Sequence, residues 1–205
     1  YKRQISRPVQ TRRRPGCVRE GAALASSGSA YLLMDVAGTP CALPRAAVSE
    51  ILPLPDLHNP PATGGWLAGF LNLGGAPIPV IDLAPLLGLR PAASAPGLYA
   101  HLVLTRDGAG AYLVDRAADL VIVPDSAIRP AEETGTLNGC VAAELVIGDR
   151  LVHALAPEGL LTAQERARVA ALTRAAAERL HGEASRHALE HVSRVEIARA
   201  AVDEA

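Results

Sequence analysis

The stretch Gly69-Phe-Leu-Asn-Leu-Gly-Gly-Ala-Pro-Ile-Pro-Val-Ile-Asp82 decides the fold class of this 205-residue chain. It holds two short apolar runs separated by Gly74-Gly75, and such a glycine pair is typical of a tight turn between antiparallel strands. The stretch therefore predicts a β-hairpin. The residues that follow, Leu83 to Leu89, predict a short helix or turn.

Short apolar runs divided by turn residues continue on both sides of this hairpin. Before it, we predict a hairpin over 31–43, a helical turn over 45–50 and a strand over 51–54. After a Pro/Ala/Ser linker over 90–97, we predict a polar loop over 125–135 and strands over 100–105, 111–114, 120–123, 139–147 and 151–155. The pattern indicates a mainly β protein.

Four weak matches in the same order indicate an internal repeat. Arg45-Ala-Ala recurs as Arg116-Ala-Ala, Gly69 as Gly139, and Leu83-Ala-Pro as Leu155-Ala-Pro, each about 70 residues later. Apolar runs that end in Pro53 and Pro124 complete the series. We therefore predict two similar units of about five short strands, at about 30–90 and 98–162, within one domain over 30–162.

The two ends of the chain differ from this β-rich body. Residues 1–29 lack an apolar period, and we expect a disordered basic leader there. Residues 163–205 predict a helical tail, in which Thr162 and Glu165 form a capping box. Helical spacing places four apolar residues of its first part on one face, and we expect Gly182 to end this helix before a second segment over about 183–202. The four are Val169, Leu172, Ala176 and Leu180.

Charge and cysteine content narrow the class of protein. The formal net charge is −1, but residues 1–29 carry seven basic side chains and one acid, whereas residues 30–161 carry six basic and thirteen acidic ones. The three cysteines are widely spaced, which is typical of a reducing, cytoplasmic environment. Residues 57–81 lack charged side chains, but their prolines and glycines argue against a membrane span.

No motif supports catalysis. His187-Ala-Leu-Glu-His191 matches a zinc-peptidase pattern, yet too few residues follow it to supply a third ligand. The glycines at 64–75 lack the residues that complete a phosphate-binding loop. Asp82 ends an apolar strand and is expected to cap the next turn. We therefore predict no enzyme activity, no metal and no cofactor.

The hairpin motif resembles that of the CheW family of chemotaxis scaffolds, in which Gly-x-x-Asn-Leu-Arg-Gly precedes an apolar segment and Pro-Val/Ile-Val/Ile-Asp-Leu. Val48-Ser-Glu-Ile51, Val114-Asp115, Ile128-Arg-Pro130 and Gly148-Asp-Arg-Leu-Val152 also fit this family, and the resemblance covers about residues 30–170. It implies two five-stranded SH3-like barrels that share a core, with a C-terminal helix against them. It also implies a non-enzymatic adaptor that couples chemoreceptors to a CheA-type histidine kinase.

The resemblance assigns partner-binding roles by position. It places Val48 and Glu50 on the receptor-facing side of the first barrel, and Asn72 with the turn after it beside the receptor groove. Ile78 and Val80 are expected to support the contact with the kinase regulatory domain. Gly69 and Gly74 belong to the same motif, and Gly74 stands where the family pattern has an Arg that would offer a charged donor to receptor carboxylates. The full set is Val48, Glu50, Gly69, Asn72, Gly74, Ile78 and Val80.

An alternative function rests on the leader. Its seven basic residues suit a barrel module that grips nucleic acid or an anionic membrane surface. Binding of that kind is salt-sensitive, whereas an apolar barrel contact is not.

Overall fold

The computed structural model describes residues 27–58, 65–92, 96–131 and 139–182. Two β-sheets make up the body of the protein, as the sequence predicts. The five-stranded sheet has the order β3-β6-β7-β5-β4. Its strands are β3 (Val48–Pro53), β4 (Leu67–Leu73), β5 (Ala76–Asp82), β6 (His101–Thr105) and β7 (Ala111–Val114).

The other sheet has six strands in the order β8-β1-β2-β11-β10-β9. The last of these, β9, lies inside the segment 125–135 that the sequence predicted to be a polar loop. It pairs with β10. That prediction was wrong for three residues, because a strand this short carries no apolar pattern of its own. The strands are β1 (Gly28–Val36), β2 (Thr39–Pro44), β8 (Arg116–Pro124), β9 (Ile128–Pro130), β10 (Val141–Ile147) and β11 (Arg150–Leu155).

The quoted stretch forms the predicted hairpin. Leu73 of β4 pairs with Ala76 of β5, so Gly74 and Gly75 are the two turn residues. Their φ angles are 61° and 90°, which is the left-handed conformation that such a turn requires.

The strands are not divided between the sheets as the predicted units 30–90 and 98–162 require. The five-stranded sheet takes β3 to β7, whereas β1 and β2 join β8 to β11 in the six-stranded sheet. The division differs because β1 pairs with β8 along its length, a contact between residues far apart in sequence. Nothing local in the sequence indicates that pairing.

The structure does not follow the alignment of the predicted repeat. The hairpins β4–β5 and β10–β11 each have a two-residue turn and a register shift, between Leu67 and Gly69 in one and between Val141 and Ala143 in the other. Gly69 therefore corresponds to Ala143 and not to Gly139. Likewise, Arg45 begins a 3-10 turn (Arg45–Ala47) whereas Arg116 begins β8, so these two are not equivalent.

Two α-helices complete the described fold. α1 (Leu83–Leu86) follows β5, and the Asp82 carboxylate caps it by accepting the Ala84 N–H at 3.1 Å, as predicted. α2 covers 163–182 and starts with the predicted capping box. There, Thr162 N–H donates to Glu165 Oε2 at 2.8 Å, and Glu165 N–H donates to Thr162 Oγ1 at 3.2 Å.

The described core contains three main clusters of buried apolar side chains. One is enclosed by the five-stranded sheet, one is enclosed by the six-stranded sheet, and the third is a layer between the two sheets. Successive side chains of β1 point alternately into two of these clusters. Leu32, Met34 and Val36 face the layer between the sheets. Tyr31 and Leu33 pack within the six-stranded sheet. The apolar face of α2 covers β4 through Ala176 and Leu172, which contact the cluster of Leu67 and Phe70.

The predicted leader boundary needs correction. Gly28 and Ser29, assigned to the leader, belong to β1 and pair with Pro124 and Val123 of β8. Gly28 has a specific role, because a Cβ at this position would lie 2.9 Å from the Val123 carbonyl oxygen. Residues 1–26 of the leader and the second tail segment lie outside the described residues, as does the His187–His191 motif.

Candidate partner-binding site

Three turns lie at one end of the five-stranded sheet, and Val48, Asn72 and Gly74 of the sequence-predicted site lie in or beside them. The 3-10 turn leads into β3, whose Val48 pairs with Thr105 at the end of β6. The β6–β7 turn then returns to Ala111, which pairs with Val80 of β5 in parallel. Because β5 begins four residues earlier, the Gly74-Gly75 turn projects beyond this same end.

Three of the seven predicted residues are exposed here. Glu50 is on β3, which is an edge strand, and Asn72 and Gly74 are at the tip of the β4–β5 hairpin. Asn72 Oδ1 accepts the Gly75 N–H at 2.9 Å, which fixes the shape of the tip. Leu73 between them is 48% exposed, so the tip offers an apolar side chain next to an amide.

The other four are not free surface groups. Val80 is 0% exposed and Val48 is 4% exposed, and both belong to core clusters. Gly69 is buried at the register shift of β4, and Ile78 is half-buried. Direct contact by the Val48 side chain, expected on the receptor-facing side, is therefore not available, because that side chain fills the layer between the sheets.

The same end carries two arginines that the sequence did not single out as site residues. Arg45 Nη1 donates to the Val48 carbonyl oxygen at 2.7 Å, and Arg106 Nη2 donates to the same oxygen at 3.0 Å. Arg106 Nε also donates to the Ala46 carbonyl at 2.9 Å. Only the tertiary structure shows this convergence, since 61 positions separate the two residues in the sequence.

A second charged group joins the two sheets. Arg90 lies 2.7 Å from the Asp115 carboxylate and 3.5 Å from that of Asp82. Asp115 also accepts the Ala37 N–H from the β1–β2 turn. The sequence placed Arg90 in a linker, where nothing indicated that two carboxylates would surround it.

Burial and hydrogen bonding set the charges of this group. Burial is the main influence on Asp82 and raises the pKa of its carboxyl, although the Ala84 N–H and Arg90 act in the opposite direction. The hydrogen bond to Asp115 raises the pKa of Arg90. Arg90 is therefore a fixed cation beside a carboxylate that is costly to ionise.

The two thiols in the described residues lie in the apolar layer between the sheets and not at this site. Cys41 and Cys140 are free and buried, and burial raises the pKa of the Cys41 thiol to about 12. Within the described ranges, no group of three or more His, Cys, Asp or Glu side chains could hold a metal ion. No helix there is both long and apolar enough to cross a membrane.

The two-sheet architecture and its short antiparallel strands define a mainly β protein. The solved structure of the scaffolding protein TtCheW from Thermoanaerobacter tengcongensis matches it with a TM-score of 0.60 at 18% identity, over 68% of this chain and 91% of that one. The shared fold is a pair of SH3-like barrels.

Sequence comparison then gives the family. Residues 30–165 match the model of the CheW-like domain, and this chain belongs to that family, whose members are scaffold adaptors and not enzymes. It is also 34% identical over 73 residues to a probable chemotaxis protein CheW of Rhizobium etli. That alignment covers 36% of this chain and spans about half of the relative, 47% of its length.

Proposed function

We propose that this protein is an adaptor of a bacterial chemosensory pathway. It couples the cytoplasmic tip of methyl-accepting chemoreceptors to a CheA-type histidine kinase through protein–protein contacts. The observation that carries the proposal is the match of residues 30–165 to the CheW-like domain.

The receptor contact is assigned to the exposed end of the five-stranded sheet. Glu50, Asn72 and the apolar Leu73 are accessible there, and a partner that covers them buries both apolar and polar groups, as protein interfaces do. Gly74 adds no charged donor at this surface, in contrast to the Arg of the family pattern.

The kinase contact is assigned to β5, behind the hairpin tip that the receptor contacts. Ile78 is half-buried and contributes part of its side chain to the surface, whereas the buried Val80 supports the strand from within. Gly69 at the register shift of β4 acts on the shape of the hairpin. The protein functions in the cytoplasm and is recruited to receptor arrays at the inner membrane.

A binding measurement tests the kinase part of this proposal. The full chain is titrated calorimetrically with the regulatory domain of a CheA-type kinase from the same cell. We expect a 1:1 complex that persists at high salt, because the assigned contact is mainly apolar. Binding that disappears at moderate salt would instead favour the basic leader as the binding element.

A further inference from the structure

Two crossovers of the chain connect the sheets. The described strands change sheet twice, from β2 to β3 through the 3-10 turn and from β7 to β8 through Asp115 alone. The first residue of β6, His101, pairs with Val114 just before the second crossover. The last, Thr105, pairs with Val48 just after the first. The crossovers are thus at opposite ends of β6, about 13 Å apart, since a strand rises about 3.3 Å per residue.

The line through these crossovers is the axis about which one sheet can turn against the other with the least change in the backbone. At the second crossover such a rotation falls on the φ and ψ angles of Asp115, because no other residue separates β7 from β8. Between the crossovers, the sheets meet through the side chains of the apolar layer. Packed side chains can slide past one another by small amounts, so this layer permits a limited rotation.

The second crossover is fixed by contacts to both sheets. Asp115 N–H donates to the Asp35 carbonyl at 3.1 Å, and the Asp115 carboxylate accepts the Ala37 N–H of the β1–β2 turn. Arg90 Nη1 donates to the other oxygen of that carboxylate at 2.7 Å. Arg90 Nη2 lies 3.5 Å from the carboxylate of Asp82, the last residue of β5. Asp115 cannot turn unless these contacts change.

This fixed arrangement carries strain. Of the non-glycine residues that the structure describes, only Ala37 has a positive φ, at 52°. Arg90 Nε is buried and has no hydrogen-bond acceptor among the described residues. Strained backbone and unpaired buried donors persist only where the surrounding contacts impose them. A second arrangement that frees the β1–β2 turn and exposes Arg90 therefore relieves both.

We infer that Asp115 is a hinge between the two sheets and that Arg90 locks it. When Arg90 leaves the Asp115 carboxylate, the Ala37 N–H loses its fixed acceptor and the sheets turn about the two crossovers. A partner that contacts both sheets favours one of the two arrangements and shifts the equilibrium toward it. This consequence for signalling rests on the proposed adaptor function, whereas the hinge itself does not.

Residual dipolar couplings of the backbone amides in the full, ¹⁵N-labelled chain measure the orientation of the sheets. In wild type, one alignment tensor should fit both sheets. In the triple variant Asp82→Asn/Arg90→Met/Asp115→Asn, the new amides can still cap α1 and accept the Ala37 N–H. We expect this variant to fold, because it leaves no unpaired buried charge, and to need a different tensor for each sheet.

Two further variants separate the lock from a general effect on stability. Arg168→Met, at an exposed position of α2, is the matched control and should keep a single tensor. Arg90→Lys keeps the charge but lacks the fork that reaches both carboxylates. In Arg90→Lys we expect the Ala37 amide to exchange with solvent roughly fivefold faster. The Gly38 amide, which donates to Asp35 and not to Asp115, should exchange at the wild-type rate.

Three results would overturn the inference. One is a single tensor that fits both sheets of the folded triple variant, and another is an unchanged exchange rate of the Ala37 amide in Arg90→Lys. The third is equal acceleration at Ala37 and Gly38, which would give Arg90 a purely structural role in the β1–β2 turn. If the triple variant does not fold, the exchange rates decide alone.

These measurements contain no partner protein. Their failure would therefore contradict the hinge and leave the adaptor function standing. Failure of the kinase titration would contradict the adaptor function and leave the hinge.

Discussion

Arg90 Nη1 lies 2.7 Å from Asp115 Oδ1, and this ion pair connects the segment after α1 to the start of β8. Asp115 N–H donates to the Asp35 carbonyl of β1 at 3.1 Å. In the five-stranded sheet, β5 is followed by α1 and then by Arg90. The pair therefore links this sheet to the six-stranded sheet. The two sheets are held by charge as well as by their shared apolar layer.

Removal of Arg90 should destabilise the protein. The side chains of Asp82 and Asp115 are only 10% and 24% exposed, so Arg90→Ala leaves two poorly solvated carboxylates without their cation. We expect a loss of about 2 kcal/mol in the free energy of unfolding, below the cost for a fully buried pair because water reaches part of the group. Urea denaturation measures this loss.

Arg168→Ala provides the matched control, since Arg168 is exposed on α2. It should change the free energy of unfolding by less than about 0.5 kcal/mol. If the Arg90 and Arg168 variants proved equally stable, the link between the sheets would not contribute to stability.

Asp82 and Asp107 should make the free energy of unfolding depend on pH in opposite directions. The pKa of Asp82 is raised in the folded state, so the folded protein binds more protons and this contribution is lost as the pH rises through the raised pKa. The pKa of Asp107 is lowered, so its contribution is lost as the pH falls through the lowered pKa.

Urea denaturation between about pH 3 and 7 tests these signs with the Asn variants. Above about pH 4, wild type should lose stability relative to Asp82→Asn as the pH rises. Below about pH 4, it should lose stability relative to Asp107→Asn as the pH falls. Parallel curves for wild type and both variants would contradict the assignment.

The local parts of this fold could be predicted from the sequence. Gly74-Gly75 indicated the β4–β5 hairpin, and Thr162 with Glu165 indicated the start of α2, because turn and capping residues act on their immediate neighbours. The assignment of strands to sheets could not be predicted. It depends on pairing between β1 and β8, to which no local pattern contributes.

The candidate site was predicted in part for the same reason. Position in the motif indicated Asn72 and Glu50, which are exposed. It did not indicate that Val48 is buried, since an apolar residue at the start of an edge strand fits either face. The convergence of Arg45 and Arg106 on one carbonyl required the β3–β6 pairing.

Gly74→Arg should strengthen binding to a receptor-tip fragment while it weakens the fold. A Cβ at Gly74 meets nothing within 4 Å, but its φ of 61° disfavours a side chain by about 1 kcal/mol. A new charge-assisted contact is worth on the order of 1 kcal/mol, roughly fivefold in affinity. Fluorescence anisotropy and urea denaturation measure the two effects separately.

Gly74→Gln separates charge from strain, since it has the same backbone cost without the guanidinium. We expect it to lose the same stability as Gly74→Arg and to gain no affinity. Equal affinities for the two variants would indicate that the β4–β5 tip does not face the receptor.

Reconstitution of signalling tests the adaptor function most directly. Receptor-containing membranes, a CheA-type kinase and the full chain are combined, and kinase autophosphorylation is measured with and without the receptor's ligand. The account predicts that ligand changes kinase activity only when this chain is present. Kinase activity that ignores the ligand in the presence of saturating chain, or responds to it equally well without the chain, would contradict the account.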